Sequence, residues 1–323
     1  MPNCLSINNR PNPLESSYEE CRLYTRHYAK SFYFSSFLLP KEKRYAAYAI
    51  YSFCRYADNI VDMACNHSLE EVKQKINSLL ENLDEVYSGK NPDGGNFSAF
   101  SDTVRKYDIP KFYFTELVEG VSMDIKTKRY DTFAGLERYC YKVASIVGLI
   151  MSEIFGYINN SALTYAIDLG KAMQLTNILR DIHDDYTMGR VYIPQDELDK
   201  FGYTERDIEN KTISQNFISL IKFQILRARE FYTLAEKGFP YITDDGSRTT
   251  VVLMKKIYSG ILNKIEENNY DIYSRRVYVS KAEKLAITGK YLFNFSEKRK
   301  LSVIKEDDVI ASKASDLKTN VHY

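Results

Sequence analysis

The chain has 323 residues, 44% hydrophobic and 27% charged, with a net charge of +1. That composition excludes a disordered chain, is long enough for a large core, and supplies no overall field to draw in nucleic acid. Its five cysteines, at positions 4, 21, 54, 65 and 140, form no CxxC pair. They exclude a zinc ribbon or disulfide framework and fit a reducing, cytoplasmic setting.

The opening "MPNCLSINNRPNPLESS" lacks a charged start followed by an apolar run, so no signal peptide is expected. Eight prolines punctuate long proline-free segments in which apolar residues recur at helical spacing. Helices are predicted at about 18–31, 41–64, 69–88, 111–127, 132–158, 161–186, 212–237, 248–268 and 279–294. "GKNPDGGN" at 89–96 reads as a loop, and "MGRVYIPQDEL" at 188–198 as another, opened by Gly189. The apolar run from Val143 to Met151 is too short to span a bilayer, so the chain is expected to be soluble or bound to a membrane surface. No repeat or internal linker appears. The expectation is one all-α domain over 18–295, between a tail at 1–17 and a charged tail at 296–323.

Two helices carry unusual polar stripes. In the segment near 41–64, Tyr48, Tyr51, Arg55, Asp58 and Asp62 follow steps of three and four and share one face, while most of the remaining surface is apolar. A surface helix normally shows the reverse proportion, so this helix is expected to be buried and to face a polar cavity. In "KAMQLTNILRDIHDDY", Gln174, Asn177, Asp181 and Asp185 form a second stripe, with Leu175, Leu179 and Ile182 opposite. Acids four residues apart repel, and more so when buried. Arg55 and Arg180 offset this locally. Mg²⁺, or Mn²⁺ in its place, suits such oxygen donors better, because it takes one or two carboxylates, water and substrate phosphates together. The plainer reading of either Asp pair alone is a solvated face; the repeated geometry argues against it. His183 lies one residue off the stripe and reads as a bystander. Asp184 is either a supporting acid or a solvated one.

With those residues in view, the chain resembles the squalene/phytoene synthases, which join two prenyl diphosphates head to head. The likeness rests on "YAKSFYFSSFLLPKEKRYAAYAIYSFCRYADNIVD", "YCYKVASIVG", "QLTNILRDIHDDYTMGRVYIPQDEL" and "ILNKIEENNYDIYSRRVYVSKAEKL". It implies an isoprenoid synthase fold, a single helical domain around a central cavity. It implies that Asp58, Asp62, Asn177, Asp181 and Asp185 bind Mg²⁺ and diphosphate. Ser31, Arg55, Arg276 and Lys281 match positions near the phosphates, and Tyr51, Tyr139, Gln174 and Tyr258 match positions around the reacting carbons. Asn59 stands where many members carry a further acid, which leaves two carboxylates in the first stripe. Arginine suits a polyanion by bidentate bonding, and a tyrosine ring can face a cation. Ala144, Ser145 and Gly148 keep one face slim, either for a neighbouring helix or for a prenyl tail.

The resemblance implies phytoene synthesis from geranylgeranyl diphosphate as the first reading. A C30 synthase acting on farnesyl diphosphate is the alternative, and an assembly factor on the same fold is the non-enzyme alternative. The small side chains of Ser35 and Ser36 favour the longer tail. NADPH is not implied, since no glycine-rich dinucleotide fingerprint is present. A terpene cyclase would carry Ser or Thr in the middle of its second metal motif and Glu last, and a head-to-tail synthase would show Arg pairs beside aspartate-rich motifs. Amphiphilic substrates and an oily product imply peripheral membrane contact, and a downstream desaturase as a partner.

Overall fold

The computed structural model describes residues 12–62, 68–90, 92 and 97–294, and regular structure among them is helical, as the periodicity predicts. α1 (Pro13–Tyr28) begins where the Asn12 side chain accepts from the Leu14 N–H, with Pro13 at the first helical position. Ala29 leaves helical geometry before α2 (Lys30–Ser35), and a 3₁₀ turn at Ser36–Leu38 leads to α3 (Lys41–Asp62). α4 (Leu69–Tyr87) opens on a capping box made by Ser68 and Glu71. α5 (Phe97–Lys106), α6 (Lys111–Lys126) and α7 (Phe133–Cys140) follow. A π-helical turn at Tyr141–Ser145 runs into α8 (Ile146–Phe155). α9 (Ser161–Thr187), α10 (Gln195–Phe201), α11 (Glu205–Glu209), α12 (Gln215–Glu236) and α13 (Ser247–Glu267) belong to the same compact unit, which ends at Tyr278. A second unit starts at Val279; its described part is a helix over 281–294, capped by reciprocal bonds between Ser280 and Glu283.

Several boundaries differ from the sequence reading for identifiable reasons. The expected helix at 18–31 is two helices, and residues 13–17 of the expected tail belong to α1. α5 and α11 are short elements with too few turns for a clear period. The continuous helix expected at 132–158 is interrupted by the π turn. That turn is clamped between two glycines: a Cβ on Gly170 of α9 would lie 2.5 Å from the Ser145 Cα, and one on Gly120 of α6 would lie 2.6 Å from the Lys142 Cβ. Residues 63–64 of the second predicted helix, residues 1–11, and 295–323 lie outside the described residues.

α3 is the buried helix its composition predicts. Ala46, Ala47, Ala49, Ile50, Phe53, Ala57, Ile60 and Val61 are each at most 4% exposed. Phe53 stacks on Phe100 of α5 at 4.4 Å and meets Phe114 of α6 edge-on at 5.2 Å. Burying one such large apolar side chain contributes roughly 1.5–3 kcal/mol. α9 packs against α8, α12 and α13, with Leu175 and Leu179 buried. The two stripe-bearing helices are therefore fixed by apolar packing on their opposite faces, and their polar sides turn to a shared interior.

Candidate active site

A cavity of about 1380 Å³, its open mouth included, lies between α3, α8, α9 and α13. Tyr51, Cys54 and Asp58 line it from α3, Gln174 and Asn177 from α9, and Tyr258 from α13. Along α9 the lining runs from Asn177 back to Ala162. At 1.5 Å per residue that is about 22 Å of wall. Away from the polar end the lining is apolar, with Leu117, Val147, Met151, Leu169, Met173 and Val251 among it. Both stripes thus reach one chamber, which is what the paired spacing predicts.

Electrostatics at the polar end are dominated by buried acids. Burial, with Asp62 and Asp124 adding repulsion against Arg55, pushes the Asp58 carboxyl up to about 7. Burial and the neighbouring Asp181 push Asp185 up to about 8. Arg190 partly offsets the excess. It is 5% exposed, its Nη1 donates to Asp62 Oδ1 at 2.9 Å, and the same nitrogen is 3.8 Å from Asp124 Oδ2. Arg55 sits over the Tyr28 ring, 5.7 Å from its centroid, with Nη2 3.9 Å from Asp62.

α9 is not straight where it matters. Asp181 has φ −111° and ψ 16°, a kink inside the helix. Adjacent residues of a regular helix do not face each other. The kink lets the Arg180 Nε donate to Asp181 Oδ1 at 2.8 Å, and the Arg276 Nη2 lies 3.0 Å from the same oxygen. The regular stripe expected through Asp185 is therefore broken at its third member. Asn177 and Gln174 face the cavity before the kink, and Asp181 is held by two guanidinium groups at it.

Other predicted residues fall variously. Ser31 is half-buried on α2, between the lining residues Ala29 and Phe32. Lys281 is exposed at the start of the helix in the second unit. Tyr139 is 4% exposed and is not among the lining residues. Tyr48, the first member of the α3 stripe, is a core residue whose hydroxyl meets that of Ser36 at 2.7 Å. Ser35 and Ser36 do not line the cavity: Ser35 Oγ donates to the Ser31 carbonyl and Ser36 Oγ to that of Tyr33. Their small size therefore says nothing direct about tail length. Asn59 donates to the Tyr24 hydroxyl at 2.8 Å. His183 rests edge-on against Tyr273, a packing role, and Asp184 is exposed. Ala144 and Gly148 line the cavity while a Cβ on Gly148 would lie 2.7 Å from the Ala166 carbonyl oxygen, so the slim face serves helix contact and cavity together.

Three residues at the polar end were not singled out by the sequence: Asp124, Arg190 and Tyr192. Asp124 is 6% exposed and accepts from the hydroxyls of Tyr139 at 2.9 Å and Tyr192 at 2.8 Å. A signal existed. Leu117, Val121 and Asp124 share a face of α6 that is otherwise apolar and buried, the same anomaly that marks Asp58. Arg190 and Tyr192 are presented by the loop after α9. Gly189 has φ +79°, the Val191 N–H donates to the Lys128 carbonyl, and the Gln195 N–H to that of Tyr130. The loop is thereby stitched to the segment that follows Asp124.

The donor chemistry fits Mg²⁺. Asp58, Asp62 and Asp185 offer hard oxygen ligands, and burial, with neighbouring acids adding to it, holds the protons of Asp58 and Asp185 above the usual carboxylate range. Among the described residues no three acid, His or Cys side chains converge as an all-protein cage would. A sign follows for stability. Asp58 and Asp185 keep their protons to higher pH folded than unfolded, so the folded chain binds more protons between the usual carboxylate range and about 8. Stability then falls as pH rises through that window. Carboxyls held low elsewhere, such as Asp207 and Asp271, act below it. Without divalent ions, the melting temperature is expected to fall from about pH 5 to about pH 8, and Mg²⁺ with inorganic diphosphate should flatten that slope. A metal-free melting temperature that climbs over the same range contradicts these shifts.

Comparison with known proteins places this geometry in context. The family model described as squalene/phytoene synthase matches residues 25–283. The 15-cis-phytoene synthase of Synechococcus elongatus is 37% identical over 284 residues, 84% of this chain and 91% of that one. The phytoene synthase of Arthrospira platensis is 38% identical over 290 residues, covering 85% and 92%. Among solved structures, a dehydrosqualene synthase in complex with ligand superposes with a TM-score of 0.81 at 28% identity, over 88% of this chain and 98% of that chain. Squalene synthase HpnC from Alicyclobacillus acidocaldarius gives a TM-score of 0.71 at 25% identity, over 81% and 97%.

Proposed function

The chain belongs to the squalene/phytoene synthase family, and we propose that it condenses two geranylgeranyl diphosphates head to head to phytoene, releasing two diphosphates, for carotenoid biosynthesis. The observation that carries this reading is one cavity walled by Asp58 of α3 and Asn177 of α9 at its polar end and by apolar side chains beyond. One end suits diphosphate and the rest suits prenyl tails.

Asp58, Asp62, Asn177, Asp181 and Asp185 are the residues that would hold Mg²⁺. Bound there, the ions supply Lewis-acid stabilisation of a departing diphosphate. Arg55, Arg180, Arg190 and Arg276 stand around the same acids and offset phosphate charge. Tyr51 and Tyr258 line the cavity with rings that can face an allylic cation, and burial keeps both phenols protonated. The apolar walls exclude the water that would trap that cation as an alcohol. The chemistry that fits is C1 alkylation of the second molecule's double bond, proton loss to a cyclopropylcarbinyl diphosphate (prephytoene diphosphate), a second ionisation, rearrangement, and loss of another proton to a conjugated triene. No reductant enters that sequence, so NADPH is not required.

Purified protein with Mg²⁺ should convert geranylgeranyl diphosphate to a C40 hydrocarbon and farnesyl diphosphate much more slowly, by product chromatography and mass spectrometry. The structural likeness to dehydrosqualene synthase supports a second reading, a C30 product; the higher identity to phytoene synthases favours C40. A C30 product as the main outcome would replace the first reading with the second.

Peripheral membrane contact is part of the proposal, because the product is an oil that a downstream desaturase would take from a lipid phase. Among the described residues no helix is long and apolar enough to cross a membrane. The protein is expected to float with liposomes on a density gradient; recovery wholly in the dense fractions contradicts that contact.

A further inference from the structure

Asp124 stands outside both acid stripes, yet it is bonded to two tyrosines and lies near Arg190, which bonds Asp62. It sits in the last turn of α6, on the buried face, 6% exposed. Its Oδ2 accepts from two tyrosine hydroxyls, Tyr139 at 2.9 Å and Tyr192 at 2.8 Å, and lies 3.8 Å from the Arg190 Nη1. Its Oδ1 is buried without a hydrogen-bond partner, and so is the Arg190 Nε. Around it the rings of Tyr130, Tyr139 and Tyr192 pack on one another, with Tyr139 and Tyr192 stacked at 5.1 Å. A carboxylate this buried is costly unless its bonds are made. Neither stripe needs it for packing, and an apolar side chain would fill the position on a face otherwise built from Leu117 and Val121.

We propose that Asp124 is a positioning residue: its carboxylate turns the Tyr139 and Tyr192 hydroxyl hydrogens toward itself. The geometry fixes a polarity. An ionised carboxylate accepts only, and both phenol hydroxyls lie within donating distance of it; with both hydrogens on Asp124, the 3.1 Å contact between the two hydroxyl oxygens carries none. Tyr139 then offers its surroundings oxygen lone pairs and no hydrogen, which suits a positive centre or a departing proton and repels an anion. Diphosphate is left to Arg190. Asp124 thereby separates an anion-facing group from a cation-facing one. The proposal rests on the functional reading above and on the family resemblance, which matches Tyr139 to a position around the reacting carbons although its buried side chain does not line the cavity.

The test is a double-mutant cycle on the full chain with Mg²⁺ and geranylgeranyl diphosphate. Asp124→Asn should lower kcat at least about thirtyfold with KM within about threefold of the parent. In a Tyr139→Phe background the same substitution should change kcat less than about threefold, because the hydroxyl through which it acts is gone. A purely structural role predicts the same loss in both backgrounds. That result, or an Asp124→Asn protein within about threefold of wild-type kcat, overturns the proposal. If Asp124→Asn does not fold, the cycle is run with Asp124→Glu, which keeps the charge; a smaller loss, again confined to the Tyr139 background, is expected, and an additive loss overturns the proposal. Calorimetry with Mg²⁺ and inorganic diphosphate separates this from the functional reading. A wild type that binds diphosphate but makes no hydrocarbon sinks that reading alone, and Asp124 is then judged by binding: Asp124→Asn should retain the wild-type affinity within about threefold, and losing it overturns the proposal. A wild type that binds no diphosphate overturns both.

Discussion

Asp58→Asn and Asp181→Asn are each expected to lower turnover by about a thousandfold, with the fold intact. On the proposed function each carboxylate would hold a divalent ion that offsets developing diphosphate charge, so losing one is expected to withdraw roughly 4 kcal/mol of transition-state stabilisation, at tenfold in rate for each ~1.4 kcal/mol. Folding should not suffer. Asp58 is already raised to about 7 by burial and by Asp62 and Asp124, so a neutral amide removes a group that repels its neighbours. Asp181→Asn weakens its bonds to Arg180 and Arg276, both of which keep solvent or other acids nearby. The measurement is steady-state turnover with Mg²⁺ beside a thermal melt. Turnover near wild type in both variants would remove Asp58 and Asp181 from the mechanism.

Arg190→Gln carries the second large effect, on stability and activity together. Arg190 is buried between Asp62 and Asp124. Breaking a buried ion pair by deleting one partner typically costs about 3–5 kcal/mol, since the remaining charge is stranded. Asp62 is partly exposed and its share is screened; Asp124, at 6% exposure, is not. A loss of about 3 kcal/mol by denaturant titration is therefore expected, and, on the proposed role of Arg190 toward diphosphate, turnover down about a hundredfold. Arg190→Lys keeps the charge without the planar fork and should recover stability better than rate. An unfolding midpoint unchanged in Arg190→Gln would mean that Asp124 does not depend on this cation.

Much of this was legible beforehand because burial leaves a periodic trace. The narrow polar stripe on an apolar α3 announced a buried helix beside a polar space, and Tyr51 and Asp58 line that space. Gln174 and Asn177 of α9 followed from the same spacing. What escaped did so for physical reasons. The π turn at Tyr141–Ser145 packs closely on Gly120 of α6 and Gly170 of α9, contacts that no local pattern encodes, and the kink at Asp181 leaves no trace in the spacing. Tyr48 continued the stripe by spacing but was drawn into the core by Ser36 and Tyr33. Arg190 and Tyr192 lie in a loop, where periodicity carries no information, and reach the site through bonds to residues 128–130. Asp124 obeyed the rule that marked Asp58, an acid on an apolar face, but stood singly where Asp58 had a partner.

On the proposed function, two acid-bearing helices grip one diphosphate through divalent ions at the polar end of an apolar chamber. The most direct measurement is anomalous diffraction from crystals grown with Mn²⁺ and a thio-substituted geranylgeranyl diphosphate. Manganese peaks within coordination distance of Asp58 or Asp62 on α3 and of Asn177, Asp181 or Asp185 on α9, with diphosphate density between them, are the expected result. Metal bound elsewhere, or a diphosphate seated away from both helices, would contradict it.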